Sequence, residues 1–287
     1  MTQQALYDHP GPRARRRNAM LTVVFGVGLV ALLWFIYLRF DAKGNWEARK
    51  WSPFLEARVW TKFILPGLWA TLSAAGLAMV LALAFGVVFA VGRLSERVWL
   101  SAVAGGVVEF FRAVPLLLTI FFLSYGFPYL IQQPVEPFWA VVIGLTLYNG
   151  SVLAEAFRAG VRAVPRGQSE AAYAIGMRKS QVMRHILVPQ AARAMLPVIV
   201  SQLVVLLKDT ALGYIVAYSE LLQRGTELVA NFGNIVQVAI VLAIIYIIIN
   251  AALTLVAGRL DRWTQRRGMR GQAEPGGLGA ASTMSQG

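Results

Sequence analysis

Long runs of apolar residues alternate with short polar segments along this chain. A helix rises about 1.5 Å per residue, so about 20 apolar residues cross the roughly 30 Å hydrocarbon core of a bilayer. Unpaired backbone amides are costly in lipid, so we predict that every such run is a helix and that the protein is an all-α integral membrane protein. The six predicted transmembrane helices cover 20–38, 63–91, 103–131, 138–157, 194–218 and 235–257.

The flanks of these runs predict the outlying segments. The first run is longer than the apolar core of a signal peptide, and Arg39 follows it where a small-residue cleavage site would stand, so we expect it to remain as an N-terminal anchor. Segment 39–62 contains Trp46, Trp51 and Trp60 among charged residues, which is typical of an element at the outer membrane interface. Both tails, 1–19 and 261–287, are polar and are expected to be disordered.

The distribution of charge orients the chain. Basic residues concentrate before the first run, between the fourth and fifth runs and after the last, so the positive-inside rule places both termini in the cytoplasm. The protein is therefore predicted to be a multi-pass membrane protein with both termini on the cytoplasmic side. The net charge of +13 lies beside membrane spans, which favours contact with anionic lipid and argues against nucleic acid. Without cysteine, and with His9 and His185 as the only histidines, no multi-His or Cys metal site is expected.

The polar segment 166–189 separates the fourth and fifth runs and must lie outside the lipid. Ser169 is a suitable N-cap for a short helix that opens at Glu170, and Gly176 can reach positive φ and turn the chain. A second short helix is expected over 180–187, with Pro189 ending it. The pattern predicts a bent helix pair that is presented to a soluble partner.

The spacing of this segment resembles the EAA loop of ABC-transporter permeases. Glu-Ala-Ala at 170–172, Gly176, Ile186 and Pro189 fall in register, while Val188 replaces the usual Leu. Arg178 stands where the family often has a small hydroxyl residue, so Ser180 is expected to act as the cap instead. Further strings at 107–117, 154–160, 164–168 and 207–210 resemble the polar-amino-acid subfamily, and the resemblance covers about 65–259.

This resemblance implies a five-helix type I importer permease core at 63–260, an N-terminal anchor helix and a cytoplasmic coupling-helix loop. It also implies four partners: a cytoplasmic ABC ATPase dimer, a second permease subunit that is either a copy or a relative, an extracytoplasmic solute-binding protein and an amino-acid substrate. ATP and Mg²⁺ would bind to the ATPase, and no cofactor is expected to bind to this chain. The chain has no Gly-x-x-x-x-Gly-Lys-[Ser/Thr] loop, which is the usual phosphate-binding motif. The expected ATPase-coupling residues are Glu170, Ala171, Ala172, Gly176, Arg178, Ile186 and Pro189.

Several polar residues interrupt the apolar runs. Lys208 and Asp209 are either a structural break near the outer end of the fifth run or part of a substrate path, where their charges suit an amino-acid zwitterion. Asn149 and Gln202 are further path candidates, although hydrogen bonding between helices is the commoner role of such residues.

Two charge pairs with i,i+3 spacing, Glu109 with Arg112 and Glu155 with Arg158, are predicted as structural or gating pairs at the inner mouth. A separate acidic residue, Glu220, follows the fifth run. It is expected either in a solvated outer loop or at an outer gate that contacts the binding protein.

The resemblance implies a non-catalytic permease subunit of the bacterial cytoplasmic membrane that imports polar amino acids, with a weak preference for glutamate or glutamine. An ion-coupled secondary carrier is the alternative, but it predicts an inverted repeat that the sequence does not display. A membrane enzyme is disfavoured because no His/carboxylate cluster and no Gly-x-Ser-x-Gly string occurs.

Overall fold

The computed structural model describes residues 11–270, and every regular element within that range is helical. A short helical segment, Ala48–Trp51 followed by the 3₁₀ turn Ser52–Leu55, precedes the second long helix. Three helices contain one π turn each, at Trp60–Ile64, Phe122–Gly126 and Met183–Leu187. The main helices are α1 (Pro12–Ala42), α2 (Ala57–Arg93), α3 (Val98–Ala113), α4 (Leu116–Ile131), α5 (Pro137–Arg162), α6 (Arg166–Ala174), α7 (Lys179–Val216), α8 (Leu221–Phe232) and α9 (Ile235–Arg270).

Five of these helices are long and apolar enough to cross a membrane, and a sixth span results if α3 and α4 count as one. The prediction of a single straight helix over 103–131 is therefore wrong, because α3 and α4 meet at a 97° bend. The cause is Pro115, which disfavours helical geometry in the residue before it. Val114 is accordingly extended, with ψ of 125°.

The predicted end of a helix at Pro189 is also wrong. Helix α7 runs without interruption from Lys179 to Val216, so the predicted helices 180–187 and 194–218 are one element. The π turn Met183–Leu187 comes just before Pro189. In a π turn the hydrogen bonds reach five residues back, and the wider turn accommodates a residue that has no N–H.

Helix ends extend beyond the predicted boundaries. α1 starts at Pro12, so residues 12–19 of the predicted N-terminal tail are helical, and α9 continues through 261–270 of the predicted C-terminal tail. Residues 1–10 and 271–287 lie outside the described residues. The segment 39–62 is largely helical, and α2 already begins within it at Ala57.

Helices α2 and α5 pack closely at the centre of the bundle. Each helix contributes a glycine that faces a large side chain of the other: a Cβ on Gly86 would come within 2.9 Å of Leu153 Cβ, and one on Gly150 within 2.8 Å of Phe85 Cδ1. Small residues let helix backbones approach in membranes, where packing contacts replace the hydrophobic driving force. Around this contact the buried core includes Ala74, Ala78, Ala82, Ile120, Val141, Leu145, Leu206 and Leu207.

The first helix stands apart from this bundle, and none of the residues in α1 is buried. Its C-terminal end is held by the segment that follows. Gln237 Nε2 at the start of α9 donates to Asn45 O at 2.8 Å, and Asn234 Nδ2 donates to Lys50 O at 3.0 Å. The position of α1 therefore depends on the segment 43–56.

Candidate functional site

Helix α6 forms the exposed part of the polar loop. It begins at Arg166 after the extended residue Pro165, so the prediction that Ser169 caps a helix opening at Glu170 is wrong. Ser169 lies inside the helix, and its Oγ donates to Arg166 O at 2.8 Å. Proline pre-sets an extended geometry before the helix, which moves the start four residues upstream.

The turn predicted at Gly176 is present, with φ of +82°. The Gly176 N–H donates to Tyr173 O at 2.9 Å, and the Met177 N–H donates to Ala172 O at 3.1 Å. This pair of bonds is the Schellman arrangement that ends a helix at a glycine of positive φ. The end of α6 therefore has a defined, hydrogen-bonded geometry.

After the turn, α7 starts with Arg178 as its N-cap residue, and the Arg178 N–H donates to Gln181 Oε1 at 2.8 Å. Ser180 is therefore not the cap, contrary to expectation; Gln181 satisfies the free amide instead. Ala172 in α6 and Val182 in α7 are both buried, which fixes the two helices against each other.

The outward surface of the loop carries the remaining candidate coupling residues. Glu170, Ala171 and Arg178 are exposed, as is Pro189 further along, while Ile186 is half-buried. Sequence reasoning missed two apolar side chains beside Glu170: Tyr173 is 47% exposed and Ile175 is 79% exposed. Apolar residues within an otherwise polar loop were the signal that could have revealed them.

An ion-pair network joins the ends of three helices on this side of the bundle. The predicted Glu155–Arg158 pair is present. Glu109 pairs with Arg93, at 3.1 Å between Oε1 and Nη2, so the predicted Glu109–Arg112 pair is wrong. Arg93 also lies 3.1 Å from Glu155, measured between Nη1 and Oε2.

Arg93 was missed because its partners lie on α3 and α5, while sequence spacing shows only pairs within one helix. Arg112 is exposed and forms no ion pair with the described residues. A second link on this side joins the loop to the turn after α2, where Lys179 Nζ lies 2.9 Å from Glu96 Oε1.

The candidate path residues Asn149 and Gln202 contact each other. Gln202 Nε2 donates to Asn149 Oδ1, joining α7 to α5, and Asn149 Nδ2 donates to Leu145 O at 3.0 Å. Asn149 is fully buried. This geometry favours the helix-packing role that was the alternative to substrate contact.

Lys208 and Asp209 lie where the regular α-helical part of α7 ends and a 3₁₀ segment begins at Thr210. This change from α to 3₁₀ geometry agrees with the structural alternative, although it does not interrupt α7. Lys208 is exposed and Asp209 is half-buried, and no ion pair joins them. Both charges thus remain available at the edge of the bundle.

Glu220 is buried, so the first of its two predicted placements, in a solvated outer loop, is wrong. It caps α8, where its carboxylate accepts from the N–H groups of Leu222 and Gln223, both at 2.8 Å. Tyr246 in α9 donates its hydroxyl to the same carboxylate at 3.1 Å. Burial raises the pKa of Glu220, which lies between the membrane-spanning segments α7 and α9. The only sequence signal was its place directly before the apolar start of α8.

Comparison with known proteins identifies the family of this chain. Residues 82–266 match the family described as binding-protein-dependent transport system inner membrane component. The chain belongs to this family. It is an amino-acid ABC-transporter permease, as the sequence resemblance indicated.

Two relatives and one solved structure support this assignment. The chain is 43% identical to the glutamate transport system permease protein GluD of Corynebacterium glutamicum over 230 residues, which cover 77% of this chain and 82% of that protein. It is 30% identical to the arginine transport system permease protein ArtQ of Bacillus subtilis, over 65% of this chain and 85% of that protein. A crystal structure of an amino acid ABC transporter with histidines superposes with a TM-score of 0.67 at 26% identity, covering 71% of this chain and 94% of the other.

Proposed function

We propose that this permease forms the path by which a polar amino acid, with glutamate preferred, enters the cell, and that α6 couples this path to a separate ATPase. The geometry of α6 is the observation that carries the coupling. It is a short, exposed helix that is rigidly ended at Gly176 and packed on the start of α7 through Ala172. A rigid element of this kind can pass the movement of a docked partner to a membrane helix.

The surface of α6 suits a protein partner. Tyr173 and Ile175 expose apolar area next to the carboxylate of Glu170, and aromatic side chains are enriched in the cores of protein interfaces. The partner would be a cytoplasmic ATPase dimer that binds ATP and Mg²⁺, and we propose no cofactor for this chain. The basic residues near α6 support the placement of this end and of both termini in the cytoplasm.

The remaining partners follow from the family. We propose a second permease subunit, either a copy or a relative, and an extracytoplasmic binding protein that delivers the substrate. Lys208 and Asp209 are our candidates for contact with the carboxylate and ammonium of an amino acid, because both are charged and unpaired with each other. The glutamate preference rests on the 43% identity to a glutamate permease.

Reconstitution into proteoliposomes tests this function. Glutamate uptake should require the permease, its ATPase, its binding protein and ATP on the side of the membrane that carries the ATPase. Arginine should compete only weakly for uptake. Uptake by the permease alone, driven by a proton or sodium gradient, would contradict the proposal and support the secondary carrier.

The coupling role of α6 has its own test. Glu170→Arg reverses an exposed charge without disturbing a buried contact, so the variant should fold normally but bind the ATPase poorly and lose ATP-driven uptake. Glu136→Arg makes the same change at the exposed N-cap position of α5, where the Glu136 side chain makes no capping hydrogen bond, and it serves as the matched control. Equal ATPase co-purification by the two variants would reject α6 as the docking element.

A further inference from the structure

A cavity of about 610 Å³ opens near the end of the bundle that carries α6. Its walls come from the last turns of α2, the start of α3, the end of α5 and the first half of α7. The lining is mainly aliphatic, with Phe157 as its one aromatic side chain. This volume falls within the range of about 300 to 1,000 Å³ that is usual for small-ligand sites.

The α2 side of this cavity belongs to the apolar span predicted over 63–91. Val87 and Val91 on that side are 51% and 64% exposed, whereas Val188 on the α7 side, 44% exposed, belongs to the polar segment 166–189. An occupant that enters on the α2 side therefore comes from the hydrocarbon. An acyl chain satisfies that condition, whereas a water-soluble metabolite does not.

The mouth of the cavity carries a free cation. Arg97 is exposed and forms no ion pair within the described part of the chain. It precedes α3, whose first backbone N–H groups have no partner inside the helix and favour an anion. Glu96 is the only carboxylate in the lining, and Lys179 neutralises it at 2.9 Å.

An exposed tryptophan marks the level of this mouth. Trp99 follows Arg97 by two residues and is 63% exposed. Tryptophan settles at the level of lipid headgroups. Arg97 is therefore placed where the phosphate of a lipid lies when its acyl chain enters the cavity.

We propose that this cavity binds an anionic phospholipid of the adjoining leaflet, with one acyl chain against Phe157 and the α2–α7 walls and the phosphate at Arg97. Basic pockets between membrane helices are known to hold anionic headgroups. The described lining residues include none from α6 or from the Lys208–Asp209 region, although Lys179, Ser180 and Val188 at the start of α7 contribute to the wall. The site does not depend on which amino acid is transported.

Lipid binding can be measured by native mass spectrometry of the complex of the permease and its ATPase in mild detergent, titrated with phosphatidylglycerol. Arg97→Gln should weaken phosphatidylglycerol binding about five-fold, which corresponds to one basic residue near a charged surface. Arg162→Gln, which neutralises an exposed arginine at the end of α5 outside the lining, should leave binding unchanged.

The cavity itself is tested by filling it. Ala192→Trp places an indole in the lining and should remove lipid binding, whereas Ala194→Trp, at an exposed site outside the lining on the same helix, should not. Inorganic phosphate at millimolar concentration should not compete, because the acyl chain supplies most of the contact.

Three results would overturn the proposal. One is equal binding of phosphatidylglycerol and phosphatidylethanolamine with no effect of Arg97→Gln. Another is competition by inorganic phosphate alone. The third is a loss of ATPase assembly in Ala192→Trp with lipid binding intact, which would make the cavity a protein interface. None of these measurements uses uptake. A negative result would therefore reject the lipid site without rejecting the proposed transport function.

Discussion

Arg93 and Glu155 form an ion pair between the end of α2 and α5, with 3.1 Å between Nη1 and Oε2. The same guanidinium reaches Glu109 on α3, so one side chain joins three helices at the end of the bundle that carries α6. The two contacts differ in their surroundings: the side chain of Glu155 is 23% exposed and that of Glu109 is 69% exposed. Only the first contact is shielded from solvent.

This difference predicts unequal effects on stability. Arg93→Gln should lower the free energy of unfolding by about 1 to 3 kcal/mol, because it removes a charged partner from a mostly buried contact. Glu109→Gln should cost less than about 1 kcal/mol, as is usual for an exposed pair. Thermal unfolding in detergent, followed by tryptophan fluorescence, measures both. Because Arg93→Gln removes both contacts and Glu109→Gln only one, equal losses in the two variants would show that the buried contact with Glu155 adds nothing to stability.

The Asn149–Gln202 hydrogen bond predicts a stability effect and no change in substrate affinity. Asn149→Ala should destabilise the protein by about 1 kcal/mol, which is typical of a hydrogen bond between membrane helices. The double variant with Gln202→Ala should cost less than the sum of the single variants, because both remove the same bond. A raised KM for uptake without any loss of stability would instead assign these residues to the substrate path.

The positive φ of Gly176 predicts a ranking of substitutions at that position. No atom lies within 4 Å of an added Cβ, so the cost arises from backbone strain alone. Gly176→Val should strain the backbone most and reduce coupling most, and Gly176→Asn should have the smallest effect. Gly176→Ala should raise the local conformational free energy by about 1 to 2 kcal/mol. The readout is ATPase activity stimulated by the loaded binding protein.

A matched glycine in α6 controls this series. Gly167 also has open space around it, but its φ is helical. Gly167→Ala should therefore leave coupling intact, since alanine favours a helix. If all three substitutions at Gly176 behave like Gly167→Ala, the defined turn is not needed for coupling.

The charges at the end of the regular part of α7 predict a change in substrate affinity. If Lys208 and Asp209 contact the amino acid, Lys208→Met and Asp209→Asn should each raise the KM for uptake by tenfold or more, which corresponds to about 1.4 kcal/mol. Lys43→Met is the control, because Lys43 is an exposed lysine directly after α1. Wild-type KM values in both variants, with normal assembly, would leave the two charges a structural role at the helix break.

The sequence by itself determined the membrane class, the approximate positions of the helices and the turn at Gly176. Apolar length and the ability of glycine to adopt positive φ act locally, so spacing along the chain suffices to show them. It also identified the Glu155–Arg158 pair, because both side chains lie on one helix face. The 97° bend at Pro115 could have been anticipated, since proline restricts the residue before it.

Only the tertiary structure decided which distant residues meet. Glu109 forms an ion pair with Arg93 instead of Arg112, and Lys179 forms one with Glu96. The buried carboxylate of Glu220 accepts a hydrogen bond from the hydroxyl of Tyr246. Pro189 likewise lies inside a continuous α7 because a π turn widens the helix just before it. These outcomes depend on how helices far apart in sequence pack, and on which turn geometry that packing selects, and neither is encoded in a local pattern.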